Sequence, residues 1–501
     1  MKPPAISTDL GQLDAYAWKA ICEWSSRLSD RNTCFNGDYI QLTRWFLWDK
    51  VGRAIRFSCC PGPAIFEKML IDKVGIPAAT CSTEVDFCRR YLRQYLSRIR
   101  NLVKKDPENP ACKAHNFQRR SGPLVYVPVL SDRLTSATVE LIHRNICQVV
   151  VGCSPRPLEG AGEFKPIIKS HPDYSTATSL YKAIISGLKG FGITLFEGDA
   201  QLLRSQVLLL TAQVNSVNSE LELLKPDAIL VHGDNHPPFQ AYVLAARKMG
   251  IPSIMLQHGL DCEDRYLDEA YASAIAVWGP ERERRYRERS TFQPRISVTG
   301  NPEYDHLRTP RKIDTAGNNW LWVTRPHSPE KCYAPSRSPV EGVSILYSLI
   351  EALQKAPGAS LVIKSHPYDY CDQYAQVIAD QGMQERIALS ALSVHDLFPL
   401  ASLVVTEDSS AGLDAMFAGK PLIHAHFAEN RPTMPFVDYG AALPGFSSDQ
   451  LVDSVLRAEV LGEVEAQIFL RGQINFVQDF AGLCDGEAGK RFVDFVEEIL
   501  C

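Results

Sequence analysis

From Gly122 onward the chain alternates short apolar runs with stretches of helical period. Leu124-Val-Tyr-Val-Pro-Val-Leu130 has the length of a strand, the polar Ser131-Asp132-Arg133 follows, a helical pattern continues to about Arg144, and Val149-Val-Val-Gly152 reads as the next strand. Strand, loop, helix, strand is the start of a parallel α/β sheet. A long helix is predicted from about Ala200 to Leu224, where Leu203, Val207, Leu210, Val214, Val217, Leu221 and Leu224 recur in steps of four and three. That spacing also suits a coiled coil. A helix packed on a sheet is the reading adopted, because Lys225-Pro226-Asp227 stops it and Ala228-Ile-Leu-Val-His232 follows at once. The pattern repeats with a helix over Phe239–Lys248, a strand from Pro252 to Gln257, and short strands at Ile275–Trp278 and Ile296–Thr299, closed by Gly300-Asn301-Pro302.

A second series opens at Trp320-Leu-Trp-Val323, with Arg325 just beyond. It continues with a helix from Val343 to Gln354, strands at Ser360–Lys364 and Ile387–Leu389, and a short helix at His395–Ala401. Next come a strand at Leu403–Thr406, a helix from Ala411 to Ala418, a strand at Pro421–His424, and helices after Ser448. The expected fold class is α/β: two Rossmann-like domains facing a cleft, with an N-terminal helical region. The boundaries are 1–115 for the helical region, 116–310 and 311–485 for the two domains, and 486–501 for a C-terminal helix. Within 1–115, Phe87, Tyr91, Leu92, Tyr95, Leu96, Ile99, Leu102 and Val103 mark a basic amphipathic helix from Asp86 to Lys105. Packing of its apolar face, with the basic face solvated, is the favoured reading; contact with anionic lipid is the alternative.

Composition changes little. At 501 residues the chain exceeds one core, 45% hydrophobic and 22% charged residues are ordinary, and a net charge of -5 gives no global reason to expect nucleic acid. Its 14 cysteines include no Cys-x-x-Cys pair, so neither a structural zinc site nor a disulfide framework is expected. The start carries no apolar signal core and no run approaches a membrane span, which places the protein in the cytoplasm, with peripheral contact at the inner membrane as the second placement.

Candidate chemistry lies at strand ends, where ligands of parallel sheets bind. Four clusters stand there: His232-Gly233-Asp234, Gln257-His258-Gly259, Ser365-His366-Pro367 and Asp408-Ser409-Ser410. The last opens a helix, whose free amides and about half a unit of positive charge suit a phosphate. Simple N-capping by Asp408, Ser409 and Ser410 is the bland alternative. Asp414, one turn on, is placed either at a ribose hydroxyl or in solvent. His366 can donate to phosphate oxygens or stabilise a leaving group, and His258 can take a proton from an acceptor hydroxyl, with Gly259 leaving room for close approach. The alternative for His366 is a histidine satisfied locally by backbone, and for His258 a buried hydrogen-bonded one. Asp132 is a second candidate base; His424 and His426 are read as structural.

The ordered set Gln257-His258-Gly259, Ser365-His366-Pro367, Asp408-Ser409-Ser410 and Gly419-Lys420-Pro421-Leu422-Ile423 resembles bacterial capsule and teichoic-acid transferases of the GT-B fold. That group includes CDP-glycerol glycerophosphotransferases and enzymes using CMP-activated sialic acid or Kdo. The similarity covers about residues 225 to 445. It implies His258 as base, and His366, Ser409 and Ser410 as contacts of the donor phosphate. Pro226-Asp227 through Asp234, and Val298-Thr299-Gly300-Asn301-Pro302, are similar to the UDP-N-acetylglucosamine 2-epimerases, which puts Gly300 and Asn301 on the donor side with Arg325. Two departures stand against epimerisation: Gln257-His258-Gly259-Leu260 replaces an acidic residue and glycines, and Asp408-Ser409-Ser410-Ala411 replaces Asp-Ser-Gly-Gly. The leading expectation is a metal-independent transferase without cofactor. It moves a sugar or polyol phosphate from a nucleotide-activated donor to a glycan or lipid-linked acceptor of surface polysaccharide. An epimerase and a non-catalytic nucleotide-sugar-binding protein are the alternatives.

Overall fold

The structure is a computed structural model that describes residues 119, 121–154, 156–164, 172–190, 195, 197–234, 238–260, 271–289, 293–309, 312–325, 339–366, 369, 371–427 and 432–501. The helical region expected over 1–115, with its basic helix, lies outside the described residues.

The first lobe contains β1 (Leu124–Val129), α1 (Asp132–Arg144), β2 (Gln148–Cys153), β3 (Gly162–Glu163), α2 (Tyr174–Gly190), α3 (Glu197–Leu224) and β4 (Ala228–Val231). It continues through α4 (Phe239–Lys248), β5 (Ser253–Leu256), β6 (Ala274–Val277), α5 (Pro280–Arg289) and β7 (Arg295–Val298). All strands pair in parallel in the order β3-β2-β1-β4-β5-β6-β7. From β1 the sheet builds one way to β3, then returns to the other side of β1, so β1 and β4 bound the topological switch point.

Both faces of this sheet are covered, so β4, β5 and β6 are buried at every position, and all but Ser253 are apolar. On one face Tyr126, Ile229, Val231, Met255 and Ile275 meet α3 and α4 through Leu210, Val217, Leu221, Val243 and Leu244. On the other, Val125, Val127, Leu230, Ile254 and Ala276 meet Leu134, Ala137 and Leu141 of α1. That second face is completed from far away in the chain, by Phe492, Val493, Phe495 and Val496.

The second lobe contains β8 (Asn319–Val323), α6 (Pro339–Lys355), β9 (Ser360–Lys364), α7 (Cys371–Asp380), β10 (Ile387–Leu389), the single turn α8 (Val394–Leu397) and β11 (Leu403–Thr406). Then follow α9 (Ala411–Phe417), β12 (Leu422–Ala425), β13 (Leu443–Gly445), α10 (Ser448–Glu459) and α11 (Glu463–Ala481). The strands are again all parallel, in the order β10-β9-β8-β11-β12-β13, with the switch between β8 and β11. Two Rossmann-like lobes face a cleft, as expected.

The last helix, α12 (Ala488–Leu500), supplies the distant phenylalanines and valines of the first core. The sequence set 486–501 apart as a separate terminal helix; in the fold it belongs to the first lobe. Asp305 fixes its start, accepting from the N–H groups of Ala488 (2.8 Å) and Gly489 (2.7 Å), two of the amides a helix start leaves unpaired.

Candidate functional site

Three strand ends meet at the switch point of the first sheet. Ser131, between β1 and α1, has its Oγ 2.9 Å from Nδ1 of His232, which leaves β4. The His232 ring lies edge-on to Phe239 at 4.2 Å and 6.0 Å from the ring of His258, which leaves β5. Both imidazoles are half-buried. The loop carrying His258 is pinned by Gln257, whose Oε1 accepts from Trp278 N–H at 2.9 Å and whose Nε2 donates to the Gly259 carbonyl at 2.7 Å. Asp132 is exposed in the first turn of α1, where a carboxylate favours the helix start. The residue meeting His232 is its neighbour Ser131, which the sequence reading did not single out.

Asp234, in the first of the four clusters, is only 2% exposed. Its Oδ2 accepts from Tyr271 N–H at 2.7 Å and Ala272 N–H at 2.9 Å, and so anchors the entrance to β6. Burial pushes its carboxyl up to about 6 against the opposing pull of those amides, Arg247 and Arg282.

In the second lobe the ends of β8, β9 and β11 are tied together. His366 N–H donates to Thr324 Oγ1 at 3.0 Å, and Arg325 N–H donates to Glu407 Oε1 at 3.4 Å. His366, Arg325, Ser409 and Ser410 are all half-buried at these adjacent ends. The Ser409 hydroxyl accepts from Ala411 N–H at 3.3 Å, the capping role weighed from sequence, whereas the Ser410 side chain makes no cap bond. Gly412 lets α9 lie flat on Phe436, because a Cβ there would meet the ring at 2.6 Å.

Asp408 departs from its expected place beside the donor. It is 3% exposed and turned inward, where Oδ1 meets His424 Nε2 (3.0 Å), Met434 N–H (3.0 Å) and Thr433 N–H (3.1 Å), and Oδ2 lies 3.4 Å from His426 Nδ1. Burial raises its carboxyl, but the bonds from His424 and His426 and the charge of Arg325 outweigh it and hold the group well below the usual carboxylate range. The two histidines read as structural are therefore partners of a residue read as ligand-binding.

Asp414 is half-buried, not a solvated helix residue. Its Oδ1 accepts from Tyr304 Oη at 3.0 Å, and Tyr304 is itself buried between Trp278 (5.5 Å) and Phe417 (5.1 Å). Burial raises the Asp414 carboxyl, while Tyr304, His395 and Arg133 act in the other direction. Gly300 has a φ of 83°, and its Cα faces Ala488 of α12 at the distance where a Cβ would clash. Asn301 Oδ1 accepts from Glu303 N–H at 3.1 Å and caps the turn Pro302–Tyr304. Packing and capping thus occupy Gly300 and Asn301, which the resemblance had placed on the donor side.

Among known proteins, the family model described as capsule polysaccharide biosynthesis protein matches residues 338–427, well under half of the chain. No curated protein matches. Among solved structures, the S. aureus MnaA–UDP structure is 14% identical, with a TM-score of 0.49, over 75% of this chain and 96% of its own. The Neisseria meningitidis UDP-GlcNAc 2-epimerase bound to UDP-GlcNAc is 16% identical, with a TM-score of 0.48, over 75% of this chain and 100% of its own. An α,α-trehalose-phosphate synthase (UDP-forming) from Burkholderia vietnamiensis is 11% identical, with a TM-score of 0.43, over 76% of this chain and 99% of its own. The two parallel sheets, their switch points and their facing lobes make the chain a GT-B-type α/β protein in architecture, similar over one segment to capsule-synthesis proteins.

Proposed function

We propose that the chain is an enzyme acting on a nucleotide-activated sugar in surface-polysaccharide synthesis, with transfer to an acceptor hydroxyl as its reaction. The observation that carries this reading is the pair of facing switch points. One presents Ser131, His232 and His258; the other presents Arg325, His366, Ser409 and Ser410. Cations and hydroxyls in the second lobe suit the donor phosphates. The imidazoles of the first lobe suit proton removal from an acceptor. His258 takes the hydroxyl proton as the new bond forms to the transferred group, while the bond from that group to the donor phosphate breaks and His366 and Arg325 stabilise the departing nucleotide. His232, oriented by Ser131, fills the space beside His258.

Epimerisation is the second reading, favoured by the likeness to UDP-GlcNAc 2-epimerases. Against it, the stretch where the epimerases carry an acidic residue and glycines is here Gln257-His258-Gly259-Leu260, without a carboxylate, and the oxygen and nitrogen of Gln257 are both engaged with backbone. An amide cannot serve as a proton-transfer base.

The test begins with calorimetric binding of CMP, CDP, UDP and GDP to wild type and to the Ser409→Ala/Ser410→Ala double variant. Selective binding of one nucleotide, weakened in the variant, supports the donor site; no binding to any of them removes it. The matching sugar nucleotide is then incubated without acceptor and followed by NMR. Appearance of a second nucleotide sugar establishes the epimerase and ends the transfer reading. In the transfer reading His258→Ala keeps nucleotide binding and loses turnover by about 100-fold or more, the usual worth of a general base. Turnover in EDTA equal to that in magnesium is expected of this metal-independent scheme.

A further inference from the structure

We propose that Glu303 and Tyr304 are positioning residues that make nucleotide occupancy of the second lobe felt at His232 in the first, a role that rests on the nucleotide reading above. The turn Pro302–Tyr304 is a stiff base for it: Pro302 fixes its start, Asn301 caps it, and Tyr304 N–H donates to the Asn301 carbonyl at 2.8 Å. Glu303, Tyr304 and the next residue, Asp305, reach three different helices. Glu303 accepts from Arg133 of α1 at 3.0 Å, Tyr304 donates to Asp414 of α9 at 3.0 Å, and Asp305 accepts from the first amides of α12. Adjacent residues of one capped turn move together, so a shift of α9 against α1 either carries the turn with it or breaks one of these bonds.

The ties to α9 and α1 each end within one helical turn of a site residue. Asp414 N–H donates to the Ser410 carbonyl at 3.3 Å, so Tyr304 holds α9 four residues beyond the serine that opens it. Arg133 is two residues from Ser131, whose carbonyl accepts from Leu134 N–H at 3.0 Å and whose Oγ lies 2.9 Å from His232 Nδ1. A continuous series of bonded and neighbouring residues thus runs from Ser410 through Asp414, Tyr304, Glu303, Arg133 and Ser131 to His232. Close-packed elements pass on small displacements along such a series. Its links differ in what they contribute to folding. Tyr304 is buried between Trp278 and Phe417, whereas the Arg133–Glu303 pair is partly exposed and adds little stability. Glu303→Gln therefore cuts the series at small cost to the fold.

The readout is the Cε1–H resonance of His232 in protein with labelled histidine, assigned by its loss in His232→Gln. It is followed while whichever of CMP, CDP, UDP and GDP the wild type binds is added to saturation, with calorimetry in parallel. The His232 signal is expected to shift in the wild type and to lose most of that shift in Tyr304→Phe and in Glu303→Gln. Both variants should still bind the nucleotide within about fivefold of wild type, the low end of ordinary coupling between sites. A direct effect of the nucleotide on His232 survives both substitutions, and so does a merely structural role of the turn, which moves only the melting temperature. A full shift in either saturated variant, or no shift in a wild type that binds, overturns the proposal. Failure of the wild type to bind any of the four nucleotides overturns it together with the nucleotide reading, a result distinct from the others. Should Tyr304→Phe not fold, Glu303→Gln decides alone.

Discussion

Asp234 and Asp408 lie just beyond strands that border the two switch points, are almost equally buried, and carry opposite protonation tendencies. Asp234 accepts two backbone amides and is pushed up to about 6. In the window between its unfolded value near 4 and that folded value, the native state binds the extra proton. Its contribution to stability therefore falls as pH rises through this window, by about 3 kcal/mol in all. Asp408 is depressed, so its contribution is complete above pH 4 and disappears as pH falls toward its folded value. Denaturant titrations from pH 2 to 7 should show a steeper acid limb in wild type than in Asp408→Asn, and a loss between pH 4 and 6 that Asp234→Asn removes. Identical pH profiles for wild type and both variants would sink the assignment. The clusters containing these residues were legible in the sequence as polar strand ends, but the direction in which each side chain turns was not. Asp234 is fixed by amides 37 residues away and Asp408 by a histidine 16 residues away, partners that no local pattern reveals. Ser131 was hidden for the opposite reason: a serine before a helix reads as an ordinary cap, and only the fold sets it against His232.

Among the elements, α12 has the largest effect on the architecture. Phe492 is fully buried against the first sheet, and Phe492→Ala should cost about 3–5 kcal/mol, read as the loss in unfolding free energy. A cost below about 1 kcal/mol would mean that α12 is peripheral to the core. The strands were read nearly residue for residue where sheets are covered on both sides, because Ala228–Val231 and Leu403–Val405 are continuous apolar runs. The two-residue β3 and three-residue β13 escaped notice because pairing with a longer neighbour, not their own composition, makes them strands. The 17-residue α2 was missed too, with exposed and polar positions interrupting its apolar stripe. Nothing local told where α12 would pack, since its sequence shows an amphipathic face and not the sheet that receives it.

At the scale of the whole molecule the lobes meet through Tyr304. Its ring packs between Trp278 of the first lobe and Phe417 of the second, and its hydroxyl donates to Asp414. Tyr304→Phe leaves the half-buried Asp414 carboxyl without that donor and should cost about 1–3 kcal/mol. With nucleotide absent, small-angle scattering of this variant should show a larger radius of gyration as the lobes separate. An unchanged radius with an unchanged melting temperature would show that the bridge carries no load. The bilobal plan was legible from the repeated strand–helix pattern, whereas the bridge was not, because Tyr304 follows Gly300-Asn301-Pro302 in what reads as an ordinary linker.

The path of α12 also imposes an order on biogenesis. One face of the first sheet waits for Phe492, Val493, Phe495 and Val496, which leave the ribosome only after the whole second lobe has been translated. During elongation, Val125, Leu230, Ile254 and their neighbours form an apolar surface with no cover from α12, a surface that chaperones recognise. The first lobe to be made is the last to close, and its nascent form is the stage at which misassembly between polysomal neighbours must be prevented.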